Sequence, residues 1–295
     1  MHVSYRRVSD LAAPGGIRSP ARAAFAAAAS CAIMAAAQES GEPMSDKQTP
    51  SVCLIIIGNE ILSGRTQDTN LAYIGRRLNE LGLELREVRV VPDVEADIVK
   101  AVNECRTAYD YVFTTGGIGP THDDITARCI AKAFGVPIER NPHAVTLISQ
   151  SYKPEDLNEA RLSMADMPKG ATLIENPVSM APGFQYQNVF VLAGIPSVMQ
   201  AMFESVKYKL TGGAPISSRT VSAFLGEGVI AQGLGELQER YPDLEIGSYP
   251  FFRSRRFGIS LVVRGTDTGR LDQAAAELKD LIRSLGGKPV EDTAT

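Results

Sequence analysis

Tyr111-Val112-Phe113-Thr114-Thr115-Gly116-Gly117-Ile118-Gly119-Pro120-Thr121-His122-Asp123-Asp124-Ile125-Thr126 decides how the chain is read. Residues 109–115 are rich in aromatic and β-branched side chains and predict a strand. From about Asp124 to Phe134 the spacing predicts a helix, closed by Gly135. A strand passed to a helix through glycines leaves main-chain N–H groups open at the strand's carboxyl end. The incoming helix adds the positive end of its dipole, and the combination suits a phosphate. Thr121 and Asp124 stand at capping-box spacing. A purely structural turn has no need of Gly-Gly-x-Gly-Pro-Thr.

The flanking sequence repeats this grammar. Residues 52–57 (VCLIII) form a continuous apolar run, as expected of a strand buried on both faces of a parallel sheet. Leu71, Ile74, Leu78 and Leu81 recur at helical spacing and stop at Gly82. Residues 83–91 alternate as a strand. Pro92-Asp93 turns the chain, with Asp93 placed to cap a helix through Val94, Ile98, Val102 and Cys105. Asn141-Pro142 opens another helix, and residues 152–185 are mixed. Residues 189–192 (VFVL) form a strand that leads through Gly194-Ile195-Pro196-Ser197 into a helix with Val198, Met202, Val206 and Leu210 inward. Alternation of this kind predicts an α/β fold, a mostly parallel sheet between helical layers. Thr211-Gly212-Gly213-Ala214-Pro215 reads as a linker, and beyond it the order βαββα predicts a smaller α+β domain. The expected organisation is a tail over 1–50, an α/β domain over 51–215 and the small domain over 216–295.

Composition narrows the function. At 295 residues, with 44% hydrophobic and 22% charged, the chain is long enough for one large domain or two modest ones. Trp is absent and aromatics are only 6%, which argues against a stacking platform for single-stranded nucleic acid. Net charge is −4; residues 1–37 carry four Arg and one Asp, so the remainder carries −7, a poor match to a phosphate backbone. No nucleic-acid partner is expected. Cys31, Cys53, Cys105 and Cys129 form no CxxC pair and read as unpaired thiols in a reducing compartment. The Arg- and Ala-rich start fits a secretory signal, a transit peptide, or an extension from a start upstream of Met44; the last, or an unstructured tail, is the reading adopted. No run of about 18 strongly apolar residues occurs, so no membrane span is expected. The expected location is cytoplasmic, with a targeting role for the N-terminal segment left open.

Ligands of open parallel sheets lie beyond the strands' carboxyl ends. Asp93 and Asp124 each follow such an end and can face one crevice. Two carboxylates beside a phosphate repel it unless a divalent cation intervenes, so the pair, with Asp123, is the candidate metal set. Asp123 serves equally well as a helix cap. Gly58-Asn59-Glu60-Ile61-Leu62-Ser63-Gly64-Arg65-Thr66 looks like a P-loop, but five residues separate its glycines and Arg65 replaces the lysine, which disfavours a nucleoside triphosphatase. It still offers amides together with Glu60 and, further on, Asp68 and Asn70, although Asp68 also suits a helix cap. Residues 176–184 (NPVSMAPGF) bring small residues beside the site. The candidate ligand-binding residues are Gly58, Glu60, Asp68, Asn70, Thr115, Gly116, Gly117, Gly119, Pro120, Thr121, Thr126, Pro182 and Gly183, with Asp93 and Asp124 as the candidate catalytic pair. Gly226-Glu227-Gly228-Val229-Ile230-Ala231 matches GxGxxA, but too little chain follows for a dinucleotide domain. His122 is a possible metal ligand or simply exposed, and no nucleophile–His–Asp constellation is evident.

These motifs resemble the molybdopterin-binding MoaB/Mog-like family, closest to the amino-terminal domain of competence/damage-inducible protein A (CinA). Residues 58–70 resemble GDEILxGxxxDTN with Asn59 for Asp, and residues 116–126 resemble GGLGPTxDDxT. Residues 176–184 resemble NxxGxAPGF with Ser179 for Gly, and residues 192–203 resemble LPGVPxEMxxMF with Ala193 for Pro and Val198 for Glu. Residues 224–231 and 247–250 resemble that group's smaller second domain. The likeness spans 51 to about 285. It does not extend to the amidohydrolase domain of longer members, so nicotinamide mononucleotide deamidation is not carried over. The resemblance implies a three-layer MoaB/Mog-like fold that binds a pterin or nucleotide phosphate with a divalent cation (Mg, Mn or Co), and a homo-oligomer. Asp93 and Asp124 match the two aspartates that matter in adenylylating members. CinA-type members and the related domain of FAD synthases imply an alternative, metal-dependent pyrophosphatase action on ADP-ribose or FAD to release AMP. The substitutions at Asn59, Ser179 and Val198 leave a third reading, a binder or scaffold without turnover.

Overall fold

The computed structural model describes residues 49–253 and 255–291; the Arg- and Ala-rich start and Cys31 lie outside them. Ser51–Ile57 is β1, fully buried along its length. The short helix α1 (Asn59–Leu62) and α2 (Asn70–Glu80) follow, then β2 (Glu84–Val91), α3 (Glu95–Ala108) and β3 (Tyr111–Thr115). The chain continues as α4 (Thr126–Phe134), β4 (Ile138–Arg140), α5 (Pro142–Ser151), α6 (Glu159–Leu162), β5 (Asp166–Pro168) and β6 (Thr172–Ile174). β7 (Gly183–Tyr186), β8 (Val189–Leu192) and α7 (Pro196–Val206) complete this part. Among the described residues its main sheet has the order β2-β1-β3-β8-β7-β6. The first four strands are parallel and the last two antiparallel to their neighbours.

Both faces of that sheet are covered, which is why residues 52–57 of β1 read as an unbroken apolar run. Cys53, Ile55 and Ile57 point into one core with α3, α4 and α5 residues, and Val52, Leu54 and Ile56 into the other with α2 and α7 residues. Phe113, Phe190 and Phe203 stack through the second core at centroid distances of 5.0 and 5.5 Å. Cys53, Cys105 and Cys129 are free and buried, with the Cys53 thiol 3.1 Å from Cys105 Sγ.

The rest of the described chain is β9 (Ser217–Ala223), α8 (Glu227–Arg240), β10 (Glu245–Arg253), β11 (Arg256–Gly265), α9 (Thr268–Ser284) and β12 (Val290–Glu291). The strands form an antiparallel sheet in the order β10-β11-β9-β12, with its own core against α8 and α9. The GxGxxA match opens α8 out of an antiparallel strand, a context without the βαβ unit that a dinucleotide site requires. Among the described residues no helix is long and apolar enough to cross a membrane.

Candidate functional site

β1, β3 and β8 are neighbours in the sheet, and their carboxyl ends deliver Ile57, Thr115 and Leu192 to one place. Gly116 donates its N–H to Leu192 O at 3.1 Å and sits at φ +101°. A Cβ there would lie 2.2 Å from Ile57 O, and one on Gly194 would lie 3.3 Å from the Gly116 Cα. The floor is therefore main chain packed on main chain. Gly117 follows at φ +68°, where a Cβ would meet Thr126 Oγ1 at 2.2 Å. Thr126, fully buried, fastens the turn from behind: its hydroxyl donates to Gly116 O and its N–H to Gly117 O, each at 3.0 Å.

The turn holds the amides of Gly117, Ile118 and Gly119 without an acceptor among the described residues. All three residues line a cleft of about 460 Å³. Gly58, Glu60, Asp93, Gly116, Pro120, Thr121, Asp123 and Asp124 line it too, so most of the sequence-predicted site residues meet there. Asp93 does not cap α3; the N-cap is Val94, with no side-chain bond. The Asp93 Oδ2 instead accepts the Asn59 N–H at 2.9 Å, tying the turn after β2 to the turn after β1. α4 starts at Thr126, two residues later than the spacing predicts, because Asp124 Oδ2 accepts both the N–H of Thr121 (2.8 Å) and its hydroxyl. Asp123 is exposed. His122 is almost fully exposed, 3.9 Å from Asp123.

Six predicted ligand residues do not line this cleft. Asp68 is not the N-cap of α2, which is Thr69; its Oδ1 accepts the Leu71 N–H at 2.9 Å from one residue further out. Asn70 is buried and donates to Gly194 O at 2.8 Å, so it shapes the floor from below. Thr115 and Thr126 are buried behind the glycines. Pro182 lines an adjoining hollow of about 440 Å³ on the other side of the turn. Gly183 is packed where a Cβ would lie 2.2 Å from Val191 O.

The far wall was only partly legible. Asn176 builds it: its Nδ2 donates to Ser179 Oγ and Ala181 O, and its Oδ1 accepts the N–H groups of Val178 and Ser179. Tyr152, Met164, Ala193, Gly194, Ile195 and Val198 complete the lining and were missed as site residues. For Gly194 a signal existed, since a glycine between strand and helix repeats the pattern of Gly58 and Gly116. For Tyr152 and Met164 none did, because only tertiary packing brings them in.

The lining contains Glu60, Asp93, Asp123 and Asp124 and no Lys, Arg or His. Among the described residues no three His, Cys, Asp or Glu side chains are gathered closely enough to hold a metal ion by themselves. Asp93 and Asp124 each use Oδ2 internally, and Oδ1 of each has no protein partner among the described residues. A larger hollow of about 640 Å³, beside Asn79, Glu84, Asp243 and Arg264, lacks these features, and its Arg264 is already bonded to Asn79 and Glu245.

Known proteins resemble this chain over both of its sheets. Residues 53–211 match the family described as a probable molybdopterin binding domain, and residues 215–286 match the middle domain of FAD synthase. A protein of Pyrobaculum calidifontis is 37% identical over 212 residues, covering 68% of this chain and 81% of that one. A CinA-like protein of Salinibacter ruber is 32% identical over 241 residues, covering 77% of this chain and 58% of its own length. The crystal structure of the protein CinA, of unknown function, from Thermoplasma acidophilum superposes with a TM-score of 0.52 at 36% identity, over 54% of this chain and 97% of that one. With its three-layer fold, its glycine-floored cleft and these matches, the chain belongs to the molybdopterin-binding-domain family, in its CinA-like group.

Proposed function

We propose that the cleft binds the phosphate of a pterin or nucleotide, with a divalent cation between that phosphate and the carboxylates of Asp93 and Asp124. The observation that carries this is the run of three amides at Gly117, Ile118 and Gly119, unpartnered among the described residues, on a turn that lines both this cleft and the adjoining hollow bordered by His122 and Arg128. Amides so oriented accept an anion, yet four carboxylates share the lining. Asp93 and Asp124 each keep one carboxylate oxygen without a protein partner among the described residues, and a hard cation held by them would draw the rest of its shell from water and phosphate oxygens. Bound there, such a cation would neutralise phosphate charge and polarise a phosphoryl oxygen. The chain's own part is positional. The glycine turn admits the phosphate against main chain, Thr126 keeps that turn rigid, and the Asp93–Asn59 bond fixes the spacing of the two carboxylate-bearing turns.

The test is thermal unfolding of the full chain with molybdopterin, ADP-ribose or FAD, each with Mg²⁺ and with chelator. A ligand at 100 times its Kd stabilises by about 2.7 kcal/mol. The expected result is stabilisation by at least one ligand that disappears with chelator and in both Asp93→Asn and Asp124→Asn. Equal binding under all those conditions overturns the proposal.

A second reading is hydrolysis of a nucleotide pyrophosphate to release AMP. It is supported by the match of residues 215–286 to the FAD synthase middle domain. Chromatography of ADP-ribose or FAD incubated with the protein and Mg²⁺, Mn²⁺ or Co²⁺ decides it: AMP release shows turnover, and saturable binding without AMP leaves a binding module.

A further inference from the structure

Among the described residues the cleft's own lining carries four carboxylates and no Lys, Arg or His, with His122 and Arg128 only in the adjoining hollow, and the β10–β11 hairpin carries the opposite imbalance. β11 pairs with β9 from Ile259 to Gly265, whereas β10 and β11 stay paired out to Arg253 and Arg256. Three outer pairs thus project beyond β9, about 10 Å at ~3.3 Å per residue. At the tip Phe252 and Phe257 face each other with ring centroids 4.7 Å apart, yet remain 60% and 75% exposed. Arg253 lies over Phe251 and Arg256 over Phe224, at 4.8 and 4.6 Å. Arg255 turns the hairpin at φ +59°. None of these three arginines has a carboxylate partner among the described residues, while Arg77, Arg89, Arg140, Arg219, Arg240 and Arg264 all do.

We propose that this tip seats in the acid-lined cleft of a second copy of the chain, so that the arginines of one copy supply the positive side chains that the site of the other lacks. Charge is complementary: three guanidinium groups without a carboxylate partner among the described residues, two of them lying over aromatic rings, against four carboxylates. Surface character matches as well, since the exposed phenylalanines meet a rim that presents Ile195, 64% exposed, with Tyr152 and Met164 inside it. Within its own chain the tip contributes nothing to that cleft, whose lining includes no residue beyond Val198. Two such contacts related by a twofold axis close a dimer without exposed ends. A planar guanidinium then forks onto phosphate oxygens beside the glycine amides. This last consequence, and only this one, rests on the ligand-binding reading of the cleft.

The experiment uses the full chain with Phe257→p-benzoylphenylalanine, prepared once in natural isotopes and once with ¹⁵N, mixed in equal parts and irradiated. Mass spectrometry of the digest is expected to show light–heavy cross-links from position 257 to residues 58–60, 118–124 or 193–195. Sedimentation is expected to show a dimer that the variant with Arg253→Glu, Arg255→Glu and Arg256→Glu converts to monomer, with unchanged circular dichroism. Cross-links within one isotope only, or to other surfaces, overturn the proposal. So does a dimer that withstands the three charge reversals, or a monomer whose tip is instead retained on nucleic acid or anionic vesicles. Thermal shift with ADP-ribose and Mg²⁺, run on the same samples, separates the two ideas: a cross-linked dimer that binds no ligand leaves the docking standing and removes the ligand reading, and the reverse result does the opposite.

Discussion

Gly116 illustrates how one residue can be fixed twice, by conformation and by space. Its φ of +101° disfavours any side chain, and Ile57 O stands 2.2 Å from where a Cβ would go. Gly170, at φ +84° with nothing within 4 Å of a Cβ, shares only the first constraint. Gly170→Ala is expected to cost about 1 kcal/mol, and Gly116→Ala about 3 kcal/mol or more, since backbone must also shift. Urea denaturation of the two variants checks the difference, and equal costs would show that the floor yields. At Asp93 and Asp124 the expectation is the reverse, function lost with fold kept. Asparagine retains an oxygen to accept the Asn59 or Thr121 N–H but carries no charge. Unfolding free energies within about 1 kcal/mol of the parent, together with loss of chelator-sensitive ligand binding, are the expected pair of results.

At the scale of elements, α2 and α7 are clasped on one face of the sheet by Glu204. It accepts from Arg77 Nε at 2.7 Å and Tyr73 OH at 2.8 Å, with Lys207 Nζ at 2.6 Å. Arg77 first of all, then Lys207 and Tyr73, hold its carboxyl down to about 2 against the pull of partial burial. A carboxyl depressed on folding stabilises above its ordinary value of 4.5 and loses that contribution as pH falls toward 2. The side chain is 34% exposed, so solvent screening reduces the contribution to on the order of 1–2 kcal/mol. Glu204→Gln is expected to lower stability at pH 7 by that order and to flatten the slope of stability between pH 4.5 and 2. Denaturation midpoints across that range test it, and an unchanged slope rejects it.

Elements also show where the sequence could be read. β1 was legible because burial on both faces leaves residues 52–57 continuously apolar, and β3 because its residues are aromatic or β-branched. β5 and β7 were not, since three or four residues show no period, while the short piece at 172–174 is β6. The role of Asp93 was misread for a related reason. Its N–H partner lies 34 positions away, reached only because Ile57 and Val91 are register partners in adjacent strands. A local rule offered the nearer helix. Pro250 does not end β10: cross-strand pairing with β11 carries that strand on to Arg253.

At the scale of the whole molecule, the chain passes from one sheet to the other along the end of α2. Gly213 donates to Gly82 O at 2.8 Å and Ile216 to Asn79 O at 2.9 Å. A Cβ on Gly212 would lie 1.7 Å from Leu81 O. Gly212→Val is therefore expected to lift this connector off α2, costing about 2 kcal/mol or more. Limited trypsin digestion should then cut after Lys207 or Lys209 several times faster than in the parent, and an unchanged digestion rate would show that the connector was never seated. Arg264→Ala, which removes only the bond to Asn79 and the exposed pair with Glu245, is expected to cost no more than about 1 kcal/mol in the same denaturation assay.

The floor beneath the candidate ligand is made of peptide groups that touch one another with no side chain between them. Heredity can edit side chains freely but peptide groups hardly at all. A change in what this pocket accepts is therefore expected from substitutions at its perimeter, at Tyr152, Met164, Ile195 and Val198, and not from its main-chain floor.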